Sequence, residues 1–340
     1  MRQAIMTAPG EIEYRDIEAP VPGKGEVLLR VQRIGVCGSD IHVYHGKHPY
    51  TGYPVVQGHE FSASLEAVGP GVTGLKPGMK VTSMPQIVCG VCEPCKRGDY
   101  HICDQLKVQG FQAPGCAQEL WVTDAATIIP LPDTFTYEQG ALVEPVSVAV
   151  HAVRRAGDLH GKNVAVLGAG PIGNLVAQVA CARGARVLIT DISDFRLDIA
   201  RQCGLENTVN PSKESLKDAV QRLFGKESFQ VGLECVGIEA TMTDAIETIA
   251  KGGTIVVVGV FGDKPRVDMG LVQNNELNLV GTLMYKKEDY LDAVTFIGSG
   301  EVATAPLMSK HYPMDEYLDA YKFIDQARDK TMKVFIDIAP

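Results

Sequence analysis

The sequence predicts an α/β protein in which an irregular, mostly β region precedes a parallel sheet flanked by helices. Three observations carry this. Residues 1–140 are rich in glycine and proline and hold only short apolar runs. From about residue 145 onward, strand-like apolar runs alternate with helical stretches. One strand-to-helix junction carries the pattern G-x-G-x-x-G. A chain of 340 residues corresponds to two domains at about 150 residues each.

In the first region, Val27-Leu28-Leu29-Arg30-Val31 and the stretch from Val55 to Val68 are strand material. Pro22-Gly23 and Pro77-Gly78 mark turns around them. No long amphipathic helix is expected there. The run Val146 to Val153 lacks turn formers and suits a connecting helix. Asn163-Val164-Ala165-Val166-Leu167 is a strand, followed by glycines and a helix around Leu175 to Ala182. Further strands follow at Arg186 to Asp191, Val231 to Val236 and Thr254 to Val258. Continuous apolar runs suit parallel strands buried on both faces. The tail holds a helix from Asp289 to Ile297 and a closing strand, Lys333 to Asp337. This order suggests that the first domain is discontinuous in sequence.

Apolar residues make up 45% and charged residues 21%, the ordinary globular balance. Lys plus Arg number 32 and Asp plus Glu 41, a net charge of −9. An acidic chain without a basic run is a poor partner for nucleic acid or an anionic membrane. No run approaches the roughly 18 apolar residues of a membrane span, and the N-terminal residues carry no export signal. A cytoplasmic location is expected. Nine cysteines in such a chain point to metal binding or catalysis rather than to disulfides.

Gly168-Ala169-Gly170-Pro171-Ile172-Gly173 follows a strand and opens a helix, and the next strand ends in Asp191. In a dinucleotide site the first glycine permits a tight turn, the second admits the pyrophosphate, and the third lets helix pack on strand. The helix N-terminus favours the phosphate charge. Asp191 can accept ribose hydroxyls and repel the extra phosphate of NADP, so NAD is the expected cofactor. Arg196 is a candidate cofactor contact; the alternative, a solvated arginine on a helix surface, is favoured.

Cys89-x-x-Cys92-x-x-Cys95-x7-Cys103 places four sulfurs within fifteen residues. Four thiolates close a tetrahedron and leave no open position, the mark of structural zinc, although an iron–sulfur cluster uses the same donors. Cys37, His59, Glu60 and Glu144 are donors of a second kind. One zinc site with an open position is chemically permitted, but spacing alone does not bring these residues together.

Together these motifs resemble the zinc-containing medium-chain dehydrogenases/reductases, close to the polyol (sorbitol-type) group. The resemblance runs through Cys37-Gly38-Ser39-Asp40-Ile41-His42, Gly58-His59-Glu60, the four-cysteine loop, Glu144 to Ala149 and Gly168 to Gly173, in the family's order. It implies a partly open β-barrel-like (GroES-like) catalytic domain over 1–148, a Rossmann domain over 149–283, a return over 284–340, and a cleft between the domains. It also implies that Cys37, His59 and Glu60 face a catalytic zinc, with Glu144 binding the metal or holding its water. Ser39 falls at the family's proton-relay position, His42 continues the relay, and Asp40 orients a ligand imidazole. Two zinc ions per chain and a homodimer or homotetramer follow, the latter through the edge strand Glu276 to Leu283.

Three positions depart from the pattern: Ala63 and Cys116 replace glycines, and Met284 replaces an arginine that faces sugar hydroxyls in many polyol dehydrogenases. The expected reaction is reversible hydride transfer from a secondary alcohol (a polyol, vicinal diol or sugar acid) to NAD. Tyr44, His48, Tyr50, Phe111, Tyr285 and Lys286 are candidate substrate contacts. Oxidation of a threonine-like amino alcohol is the alternative. A zinc-independent quinone or enone reductase and a non-catalytic NAD sensor are competing classes, and the intact donor sets argue against both.

Overall fold

The computed structural model describes residues 1–339. The chain divides into two compact units. The first comprises Met1–Glu144, Lys286–Val294 and the chain from Met308 onward; the second comprises Pro145–Tyr285 and Thr295–Leu307. The return to the first unit therefore comes in two pieces, and Thr295–Leu307 belongs with the second unit rather than with the tail. The first boundary falls inside the helix Tyr137–Arg155, at Glu144 and Pro145.

The core of the first unit is a seven-stranded sheet. Its strand order is Met308–Pro313, Lys333–Asp337, Glu26–Gly35, Glu60–Val68, Lys80–Ser83 and Ile128–Pro130, with Leu120–Asp124 also paired to Glu26–Gly35. Glu26–Gly35 is the spine. Val27, Leu29 and Val31 alternate into the core with no exposure. Register shifts at Leu28/Leu29 and Val31/Arg33 break its ladder with Glu60–Val68. Such bulges bend a strand and deepen its twist, so the sheet curls. The expected strand from Val55 to Val68 is shorter, Glu60–Val68. Val55 makes only an isolated bridge to Met6.

The second unit holds six parallel strands. From edge to edge they are Asn207–Val209, Arg186–Thr190, Asn163–Leu167, Val231–Glu234, Thr254–Val257 and Asn278–Gly281. In sequence rank the order is 3-2-1-4-5-6, the doubly wound arrangement, which reverses beside Asn163–Leu167. All five residues of that central strand are buried, which explains why its sequence shows no alternation. Among the described residues, no helix is long and apolar enough to cross a membrane.

Candidate active site and cofactor-binding elements

Cys37 follows the spine strand and precedes the short helix Gly38–Tyr44. Asp40, in that helix, reaches back so that its Oδ2 accepts the Cys37 N–H at 2.9 Å. His59 and Glu60 stand at the start of the neighbouring strand. Gly58, at φ +93°, makes the approach: a Cβ there would lie 3.0 Å from Cys116 Sγ. Gly35 pairs with Glu60, and a Cβ on Gly35 would stand 2.6 Å from Glu60 Oε2. Two glycines thus clear the space in which the donors meet. One ligand atom each from Cys37, His59 and Glu60 lie within 4.8 Å of one another.

His59 is 5% exposed and Glu60 1%. Burial disfavours a charged His59, yet Asp40, Cys37 and Glu144 outweigh it and hold its pKa well above 6.5. The same acidic field that favours a proton on the imidazole favours a cation beside it. Thiolate, imidazole and carboxylate together suit zinc. Glu144 is buried and its charge reaches both His59 and Lys333, although it lies outside the 4.8 Å group. Ser39 is half-buried and His42 exposed; three residues apart on one helix, they share a face.

Lys333 is the principal addition to the sequence reading. Its Nζ donates to Glu60 Oε2 at 2.6 Å, to Oε1 at 2.9 Å and to the Val36 carbonyl at 3.2 Å. A lysine inside the apolar run Lys333-Val334-Phe335-Ile336 was the available signal. Among the candidate substrate contacts, His48 stacks on Phe111 at 4.8 Å, and Phe111 lies 4.8 Å from the His59 ring. Tyr50 is exposed beside His48, and Tyr44 packs against Tyr321. Tyr285 is fully buried, and Lys286 is engaged by Asp99 at 2.9 Å, so neither stands free for a ligand.

The four cysteines Cys89, Cys92, Cys95 and Cys103 also gather within 4.8 Å. Cys89 Sγ accepts the Cys92 N–H at 3.3 Å, and Cys103 Sγ accepts those of Cys89 and Gln105 at 3.3 Å. Local desolvation and the neighbouring thiols of Cys92, Cys103 and Cys89 push Cys95 up to about 12. Four sulfurs gathered at this distance are the donor set of a closed, tetrahedral zinc site, and the residues fit one. Arg97 and Lys286 both bind Asp99, and pull its carboxyl down to about 2. The lobe is thereby tied to the returning segment.

In the second unit, Gly168 adopts φ +101° and turns the chain from Asn163–Leu167 into the helix Pro171–Ala182. A side chain on Gly173 would collide with the Gly168 carbonyl. Gly170 caps the helix and has open space around it. Pro171 at the first turn has no N–H to lose, so Ile172 and Gly173 present the free donors. Asp191 Oδ2 accepts the Ala169 N–H and Oδ1 the Ser193 N–H, both at 2.8 Å. The acid therefore also ties the glycine loop to the chain after Arg186–Thr190. Arg196 is partly buried: its Nε is shielded, its side chain keeps 28% exposure, and its Nη1 lies 3.8 Å from Asp191 Oδ2.

A doubly wound sheet with a glycine turn and a unit with two zinc-type donor clusters define the class of zinc-dependent dehydrogenases. The family described as alcohol dehydrogenase GroES-like domain matches residues 23–133, and the family described as zinc-binding dehydrogenase matches 171–299. A 2-dehydro-3-deoxy-L-galactonate 5-dehydrogenase of Pseudoalteromonas atlantica is 35% identical over 94% of this chain and 93% of its own length. An L-threonine 3-dehydrogenase of Legionella pneumophila is 34% identical over 93% of this chain and 94% of its own. The crystal structure of an Escherichia coli alcohol dehydrogenase complexed with NADH superposes with a TM-score of 0.92 at 25% identity, covering 99% of both chains. The chain belongs to the zinc-containing medium-chain dehydrogenase/reductase family, and it is an oxidoreductase.

Proposed function

We propose that this protein oxidises a secondary alcohol, of the polyol, vicinal-diol or sugar-acid class, with NAD as hydride acceptor, reversibly. The observation that carries the reading is the buried meeting of Cys37, His59 and Glu60. The names of the two relatives support it, because carbon 5 of a galactonate and carbon 3 of threonine both bear secondary hydroxyls. The threonine relative keeps amino alcohols as a second reading.

Cys37 and His59, with Glu60 or Glu144, would hold a zinc ion that supplies Lewis-acid chemistry, the effect that brings bound water to a pKa of about 7. Ser39 Oγ takes the proton of the substrate hydroxyl and gives up its own. His42, on the next turn and exposed, delivers it to solvent. Asp40 lies 3.5 Å from His59 Nδ1 and orients the ring. The four cysteines Cys89, Cys92, Cys95 and Cys103 would hold a second zinc, which would brace their lobe rather than take part in the reaction.

Gly168, Gly170 and Gly173 with the helix start at Pro171 and Ile172 bind the pyrophosphate. Each oxygen of Asp191 accepts one backbone N–H, and a carboxylate oxygen has room for two, so the ribose hydroxyls are served. The same charge disfavours NADP. Arg196 steadies Asp191 and borders Gly170. We further propose a cytoplasmic homodimer or homotetramer joined through the strand Asn278–Gly281, an edge of the six-stranded sheet.

The experiment is NAD and NADP reduction over a panel of polyols, diols, aldonates and threonine, with and without a zinc chelator. Chelator-sensitive NAD reduction by a sugar acid, polyol or diol is expected. Threonine as the best substrate selects the second reading, and turnover indifferent to metal removal defeats both.

A further inference from the structure

We propose that Gln57 and Tyr321 are positioning residues for the metal site: together they form a hydrogen-bonded chain that fixes the carboxylate of Asp40 and, through it, the ring of His59. The proposal rests on the reading of Cys37 and His59 as metal ligands.

Gln57 is 3% exposed and Tyr321 fully buried. A buried amide costs free energy unless its donors and acceptor are served. Around Gln57 the walls are mostly apolar, with Ala4, Met6, Ile12 and Ala117 beside it. Its side chain instead bonds in two directions. Tyr321, from the helix Tyr317–Ala327, donates its hydroxyl to Gln57 Oε1 at 2.8 Å. Asp40 fixes the amide orientation: its backbone carbonyl and carboxylate oxygens only accept, so the amide nitrogen must face them and the amide oxygen is left for the phenol. The Gln57 Nε2 end is then turned to Asp40, where it donates to Oδ1 and to the backbone carbonyl, both at 3.4 Å.

Asp40 is held from both sides. Its Oδ2 accepts the Cys37 N–H at 2.9 Å, and Oδ1 takes the weaker bond from Gln57. Oδ1 also lies 3.5 Å from His59 Nδ1, a buried ring nitrogen without a hydrogen-bond partner. A carboxylate pinned in this way selects the tautomer with the proton on Nδ1 and leaves the Nε2 lone pair for a metal. Without Gln57, Asp40 can turn about its Cys37 contact, and the ring loses its reference. The C-terminal helix, through one phenol, thus reaches a metal ligand 262 residues earlier in the chain.

The test compares Gln57→Leu, Tyr321→Phe, the double variant and Cys37→Ser in the zinc-loaded full chain. The readouts are zinc release to a chromophoric chelator, the visible spectrum after cobalt substitution, and melting temperature. Partners that orient a metal ligand directly are worth about 10–100-fold in metal affinity, so one step further out about 3–10-fold is expected. The phase of zinc release that is missing in Cys37→Ser should accelerate by that factor in each single variant. The double variant should be no faster than Gln57→Leu alone, because both break one chain. The four-cysteine phase should not move, and the cobalt bands of the Cys37 site should shift. Tyr321→Phe keeps the ring and removes only the hydroxyl, so it tests the chain without emptying the core. Unchanged release of the Cys37-dependent phase in Tyr321→Phe and Gln57→Leu overturns this proposal alone. A release profile that is the same in Cys37→Ser as in the unaltered protein overturns the metal-site reading and this proposal with it.

Discussion

The ammonium of Lys333 sits 2.6 and 2.9 Å from the two carboxylate oxygens of Glu60, with both side chains at most 4% exposed. The pair joins the closing strand to the strand that carries His59. As placed, Glu60 spends both oxygens on the lysine, so it is a charge partner as much as a candidate metal ligand. Removing one member of a buried pair strands the other charge, at a cost of about 3–5 kcal/mol. Lys333→Met should therefore lower stability by about that amount in denaturant unfolding. Lys333→Met combined with Glu60→Gln should recover part of it. A single variant as stable as the parent would show that the pair is not closed in solution.

The two sulfur sites should fail differently. Cys37→Ser removes a soft ligand and leaves the dinucleotide unit untouched, so a folded, NAD-binding protein with little turnover is expected. Cys95→Ser opens a closed tetrahedron whose binding energy is also folding energy for its lobe. Through Asp99 and Lys286 the damage reaches the returning segment. Melting temperature should fall first and activity as a consequence. Zinc content, melting temperature, NAD affinity and kcat for both variants decide it. A stable but inactive Cys95→Ser beside an active, metal-loaded Cys37→Ser reverses the assignment.

Asp191→Ser should narrow the preference for NAD over NADP by about tenfold or more, because charged hydrogen bonds are worth about 1.5–3 kcal/mol. It should also weaken binding of both cofactors, since the acid holds the Ala169 and Ser193 N–H groups. The measurement is kcat/KM for each cofactor on one substrate. Equal or better use of NADP by the unaltered protein refutes the preference.

The parts of the site legible in the sequence are those whose partners are near in sequence. The four cysteines span fifteen residues, and the glycine turn and Asp191 belong to one strand–helix–strand unit, so spacing alone points to them. The alternation of elements likewise announced the doubly wound sheet. Cys37 and His59 were visible as residue types, but their meeting depends on how two strands pair. Lys333 stands out in its apolar run, but its partner Glu60 and the Gln57 partner of Tyr321 lie 273 and 264 residues away, beyond what spacing can show. Helix position alone does not show that Arg196 borders Asp191, because that approach depends on how its helix packs after the strand Arg186–Thr190.

The edge strand Asn278–Gly281 and the turn after it expose Leu279 at 38% and Leu283 at 52%. An apolar edge with unpaired backbone groups invites pairing with a second copy. Light scattering at micromolar concentration should give a dimer or tetramer, and Leu279→Lys with Leu283→Lys should shift it toward the single-chain mass. A single-chain mass for the unaltered protein defeats the proposal.

The central claim is that a metal held by Cys37 and His59 carries the oxidation of a secondary alcohol. It is tested most directly by preparing the chain with the Cys37 site emptied and the four-cysteine site still loaded, then following NAD reduction with the best alcohol of the panel. The account predicts a folded, NAD-binding protein whose turnover falls by at least about a hundredfold and returns with one equivalent of zinc. Full turnover from protein shown by metal analysis to lack that zinc would contradict it.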